Sequence, residues 1–96
     1  MYRIYVVELT PEAGDRMNPG KPVVYVGQSA RTPDERFLQH QRGYKASRFV
    51  RNYGRRLMRE LYESIPAVMK RAAALELEAE TARRLERAGY FVRGGH

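Results

Sequence analysis

Apolar residues fall in two tight clusters near the start of the chain and in helical stripes after them. Ile4, Val6, Val7 and Leu9, interleaved with Tyr2 and Tyr5, give Tyr2–Leu9 the β-branched and aromatic density of a strand. Val23–Val26 is a second run of the same kind. Between them "TPEAGDRMNPGKP" is rich in Pro, Gly and Asp and predicts a loop. The two runs are therefore expected to pair antiparallel across an enlarged hairpin connection.

Helical signals take over after Gly27. Thr32 is a good N-cap, Pro33 suits the first helical position, and Glu35 can reach back to Thr32 to close a capping box. A helix is predicted from about Pro33 to about Arg42, with Gly43 as its stop. A second is expected over Ala46–Tyr53, stopped by Gly54. "LMRELYESI", Leu57–Ile65, suits a short strand or a helix end, and is read here as a third strand. Pro66 then opens a long helix to about Ala88, capped by Gly89, and "YFVR", Tyr90–Arg93, is a short last strand. The pattern predicts one α/β (α+β) domain over residues 1–96: a small, mainly antiparallel sheet of three to four strands flanked by helices.

One position breaks the pattern of the long helix. Leu75, Ala79, Ala82 and Leu85 form its apolar stripe, and Glu76, Glu80, Arg83 and Arg87 fall away from it. Glu78 lies between Leu75 and Leu85, on the inward side. A carboxylate is rarely buried without a cationic partner or a metal. Glu86 is near the stripe too, but at the helix end where solvent reaches it.

Charge narrows the choice of partners. The chain has 96 residues and a net charge of +7, with a pI of about 10.1. So basic a chain attracts polyanions, of which nucleic acid is the commonest in a cell. Arg48, Arg51 and Arg55 recur at i, i+3 and i+7 near one side of the second helix, flanked by Arg42, Lys45, Arg56 and Arg59. The plainer alternative is a solvated basic face. There is no cysteine, which excludes disulfides and thiolate metal sites and makes a reducing cytoplasm the expected location. "MYRIYVVEL", with Glu8 interrupting its apolar run, reads as a strand and not a signal peptide, and no apolar run approaches membrane-spanning length.

Several pieces in order carry a family likeness. They are "RIY" at Arg3–Tyr5, "YVG" at Tyr25–Gly27, "RFLQH" with Arg36 and His40 one helical turn apart, and "ALELEAETARRLERAGYFVRGG" containing Glu78. Together they resemble the GIY-YIG nuclease family, with RIY standing where the family has GIY. The resemblance covers nearly the whole chain and implies hydrolysis of DNA phosphodiesters with one divalent cation, Mg²⁺ or Mn²⁺. Glu78 would hold that cation, a hard ion that takes oxygen ligands and keeps most of its waters. Arg36 would clamp a phosphate oxygen, for which its planar fork suits better than a lysine. By family likeness Tyr5 takes the base role, helped by His40, while Tyr25 positions water or phosphate. A free tyrosine, with a pKa of about 10, is a poor base at neutral pH, and nearby cations would lower it. His40 is a proton relay or, equally, a solvated histidine at a helix end. Gly27 would let backbone and phosphate approach each other, with Gln28 and Ser29 as hydrogen-bond donors or plain turn residues.

The basic residues would grip phosphates, which positions a nucleic acid without reading its sequence. No further module to read bases is present, so the DNA cut (plain, branched or damaged) and a protein partner for targeting stay open. Two alternatives belong to other classes: a nucleic-acid binding module without catalysis, and a basic domain that docks an acidic protein.

Overall fold

The structure, a computed structural model, describes residues 1–14 and 20–95; residues 15–19, in the middle of the predicted loop, lie outside it. Strand β1 (Arg3–Leu9) pairs antiparallel with β2 (Val23–Ser29), Tyr5 facing Gly27 and Val7 facing Tyr25. β3 (Gly54–Leu57) joins the other side of β1, also antiparallel, and β4 (Phe91–Gly94) joins β2 in parallel. The result is a four-stranded mixed sheet of order β3-β1-β2-β4. Three helices flank it: α1 (Pro33–Arg42), α2 (Arg48–Tyr53) and α3 (Arg71–Arg87). Among the described residues no helix is long and apolar enough to cross a membrane.

The central strands are apolar along their length because both faces are covered. α1 and α2 pack on β1 and β3, while α3 packs on β1, β2 and β4. Val6, Val7, Val23, Val24 and Val26 are wholly buried as a result. Side chains alternate between faces, so Tyr5, Val7 and Tyr25 share one face and Val6 and Val26 the other. Tyr5 meets His40 of α1 on its own face.

Local signals are realised closely in α1. The Thr32 hydroxyl accepts the Glu35 N–H at 3.2 Å, the Glu35 carboxylate accepts the Thr32 N–H at 3.2 Å, and Gly43 ends the helix. α2 stops at Gly54, as the sequence suggested, but begins at Arg48 behind a Ser47 cap and not at Ala46.

Four expectations are corrected. The third strand is Gly54–Leu57 and not Leu57–Ile65: it takes the free edge of β1 opposite Val7–Leu9, then leaves in a short 3₁₀ turn at Arg59–Leu61. The long helix starts at Arg71 and not at Pro66. Val68 is held extended by both backbone groups of Tyr2, at 2.7 and 2.9 Å, which pairs donors and acceptors that β1 would leave open. The inward row of α3 is Ala74, Glu78, Thr81, Ala82 and Leu85, so Leu75 stands outside it, 37% exposed. Finally, Arg55 lies on β3 and not on α2. It and Arg56 grip the Glu8 carboxylate at 3.4 and 3.0 Å, and Arg56 also holds Glu60 at 3.0 Å.

Gln28 and Ser29, for which a plain turn was one of two expectations, belong to β2, which runs three residues past Val26. Gly27 thus sits within a strand. What comes close to it is the Tyr5 ring: a Cβ at Gly27 would lie 2.6 Å from both Cζ and Oη of that tyrosine. We expect Gly27→Ala to cost about 1–3 kcal/mol by overpacking a site with no slack. Urea unfolding of the variant against wild type measures this; an unchanged midpoint would mean that the ring moves aside freely.

Candidate active site

At the Gly27 end of the sheet the elements open into a cavity of about 280 Å³. Tyr5 and Tyr25 come from the central strands, Arg36 from α1 and Glu78 from α3, with Gln28 beside them and Gly94 and Gly95 closing the β4 side. Glu78 is in the buried row of its helix, 7% exposed, as its place on the wheel predicted, and Glu86 is exposed. Its charge reaches both tyrosines.

His40 lies behind this wall and is 1% exposed, so the solvated-histidine alternative is overturned. Its Nε2 is 2.8 Å from Tyr5 Oη, and its Nδ1 accepts the backbone N–H of Ser47 at 3.0 Å. A backbone amide always donates, so Nδ1 carries no proton and the ring proton of neutral His40 is on Nε2. His40 therefore donates to Tyr5 Oη. Charging the ring would set an Nδ1–H against the Ser47 N–H. Burial, and after it the Arg36 charge, pushes the His40 pKa down to about 4, so the ring is neutral at physiological pH.

Burial likewise holds both phenols protonated. The Tyr5 hydroxyl is pushed well above its ordinary value by burial first and then by Tyr25, with Arg36 pulling the other way. Tyr25 is raised by burial, offset by a hydrogen bond with the Ser47 side chain. The three rings cluster, with centroids 5.9–6.3 Å apart.

Arg36 is fixed before any ligand arrives. Its guanidinium donates to Gln39 Oε1 at 3.0 Å and to the carbonyls of Tyr44 and Lys45 at 3.3 and 2.8 Å. One of these partners, Gln39, is on its own helix, and the other two are backbone carbonyls of the loop that follows. A planar cation held by backbone on one side and facing two hydroxyls on the other is suited to an anion.

The donor set suits a hard cation held loosely. Among the described residues no group of three or more His, Cys, Asp or Glu comes together to hold a metal, and the one carboxylate that lines this cavity is Glu78. Gln28 lines the same cavity, and its buried Oε1 makes no hydrogen bond within the protein. One carboxylate fits Mg²⁺, which keeps several waters and takes other ligands from a phosphate.

The remaining predicted residues are dispersed. Ser29 and Lys45 line a neighbouring cavity that shares Arg36. Arg48 borders a cleft by Phe49 and Arg93, Arg51 lies against Gly43, and Arg42 is exposed at the end of α1. Arg55 and Arg56 are engaged with Glu8. Sequence reasoning missed Arg71 and Leu75, which line the cavity with Glu78. The signal was available: they precede Glu78 by seven and three residues on one helix, but Leu75 was assigned to the apolar stripe and Arg71 was not singled out.

Comparison with protein-family models, curated proteins and solved structures found no match to this chain.

A neutral buried histidine has a measurable consequence. Between about pH 6.5 and about 4 the unfolded chain binds a proton at His40 that the folded chain refuses. Stability should thus be level for this group above pH 6.5 and fall as pH drops through that window, by on the order of 2–3 kcal/mol. Urea unfolding from pH 7.5 to 4.5, for wild type and His40→Gln, isolates the effect from carboxylates; equal slopes would show that folded His40 takes up a proton normally.

Proposed function

We propose that this chain is a cytoplasmic, metal-dependent DNA endonuclease that hydrolyses phosphodiester bonds, of the GIY-YIG type its sequence resembles. One observation carries the reading. Two tyrosine hydroxyls, a pinned arginine and a buried glutamate, supplied by four separate elements, converge on one open cavity in a chain of net charge +7. Random packing of a small basic domain gives no reason for that convergence.

The roles follow from position. Arg36 clamps a phosphate oxygen and stabilises the charge that builds on it in the transition state. Glu78 would hold one Mg²⁺ or Mn²⁺, which when bound supplies Lewis-acid stabilisation of the phosphate and the leaving oxygen. Tyr25 orients water or phosphate. Tyr5 is the base the resemblance assigns: as the phenolate, its own proton lost to solvent, it takes the proton of the attacking water, and His40 Nε2–H and the Arg36 guanidinium hold the charge on its oxygen until then. His40 therefore acts as a donor to Tyr5, and does not take the proton from it. Arg42, Lys45, Arg48 and Arg51 serve as phosphate contacts outside the cavity.

A second reading is favoured by one fact: both phenols are raised and His40 is neutral, so no base in this set is poised near pH 7 by the protein alone. This is the nucleic-acid binding module without catalysis. Incubation with nicked, flapped, branched, single-stranded and plain duplex DNA, with and without Mn²⁺, separates the two. We expect wild type and Glu86→Gln to cut. Glu78→Gln should bind but not cut, and Arg36→Ala should lose about 10²–10³-fold in rate. Binding without cutting by wild type, on every DNA, would establish the second reading.

A further inference from the structure

Arg36 stands between two cavities. Beyond it, on the side away from Glu78, lies a second hollow of about 320 Å³, walled by Ser29, Arg31, Gln39, Tyr44 and Lys45. Three cations face it, counting the shared Arg36. Tyr44 stands beside these cations, one of the few large hydrophobic side chains left in solvent, at 57% exposure.

The loop that presents Tyr44 is built against ordinary backbone preference. Gly43 has φ +80°, and Lys45 has φ +43°, the one non-glycine residue with positive φ among those described. A left-handed lysine costs on the order of 1 kcal/mol and persists where the surroundings hold it. Here the surroundings are the Tyr44 N–H bonded to the Gln39 carbonyl at 2.9 Å and the Arg36 guanidinium bonded to the carbonyls of Tyr44 and Lys45. The arginine that faces the tyrosines therefore also fixes the Tyr44 loop. The Lys45 ammonium lies 5.8 Å from the Tyr44 ring centroid. Arg31 has one weak exposed contact, to Glu35 at 3.9 Å, which gives way readily to a stronger anion.

An aromatic ring in solvent on a pinned loop, with cations beside it and Arg36 next to them, is complementary to a nucleotide, which has a base to stack and a phosphate to pair. A base inside a duplex has both faces covered by its neighbours, so the ligand must offer a free face. We propose that this second cavity is a subsite for an unpaired nucleotide adjoining the phosphate at Arg36, its base stacked on Tyr44 and its phosphate held by Arg31 and Lys45. The inference rests on the nuclease reading of the first cavity and adds to it the substrate class: DNA with a single-stranded or flipped-out nucleotide beside the cut.

The test measures binding alone, in EDTA so that nothing is cut. Fluorescence anisotropy would compare a single strand, a duplex with a short single-stranded flap and a full duplex of the same sequence. Stacking of one base predicts that the single strand and the flap bind about tenfold tighter than the full duplex. Tyr44→Ala should abolish the difference and Tyr44→Phe should keep it, and both should melt like wild type because the side chain lies on the surface. Equal affinity for the three DNAs, or a preference that survives in Tyr44→Ala, would overturn the subsite and leave the nuclease reading standing. No binding to any of them at low salt would overturn the nuclease reading, and the subsite with it.

Discussion

The site depends on one close approach, the ring of Tyr5 against the bare backbone of Gly27. The antiparallel register sets the two residues opposite each other, and the missing Cβ lets the phenol lie across the strand. From there its oxygen meets His40, and His40 is in turn held by the Ser47 amide. A single chain of contacts thus ties the sheet to α1 and to the start of α2. Tyr5 and His40 are both buried, so removing either side chain leaves a polar atom without a partner, at a cost of about 1–3 kcal/mol. The geometry of the cavity and the stability of the fold are for that reason the same property in this region.

Electrostatics in the cavity is a contest between burial and one arginine. Burial raises both phenols and lowers the histidine, and Arg36 opposes it at the tyrosines while assisting it at His40. At the tyrosines burial wins, and Glu78 adds to its side. A bound cation would act in the same direction as Arg36 and offset Glu78 as well. Positive charge there favours loss of the phenol protons and keeps His40 neutral.

Much of this was legible in the sequence, and the reasons are specific. The strands at Ile4–Leu9 and Val23–Val26 and the helix capped at Thr32 are written in adjacent residues, so local reading found them. Glu78 was legible because helical periodicity is strict even when the register of the stripe is misjudged by one position. The boundaries of β3 and α3 were not legible. They depend on which backbone groups of β1 need partners: Val68 is extended because Tyr2 is there to bond it, and no property of Pro66–Lys70 announces that. The fates of Gly27, Arg55 and Arg56 were hidden for the same reason. A glycine shows that something comes close without saying what, and an arginine shows a charge without saying which carboxylate has claimed it.

The place of β4 has a consequence for timing. Val23 pairs with Phe91 and Val26 with Gly94, so the outermost strand beside the cavity comes from the far end of the described chain. Glu78 rides on the helix that delivers this strand, while the tyrosines belong to the first hairpin. Domains emerge during synthesis N-terminal part first, and non-local pairing comes last. A growing chain can therefore carry its tyrosines and Arg36 well before it has a cavity. The wall closes only when β4 docks, so a piece of this domain that stops short of β4 has the side chains without the enclosure.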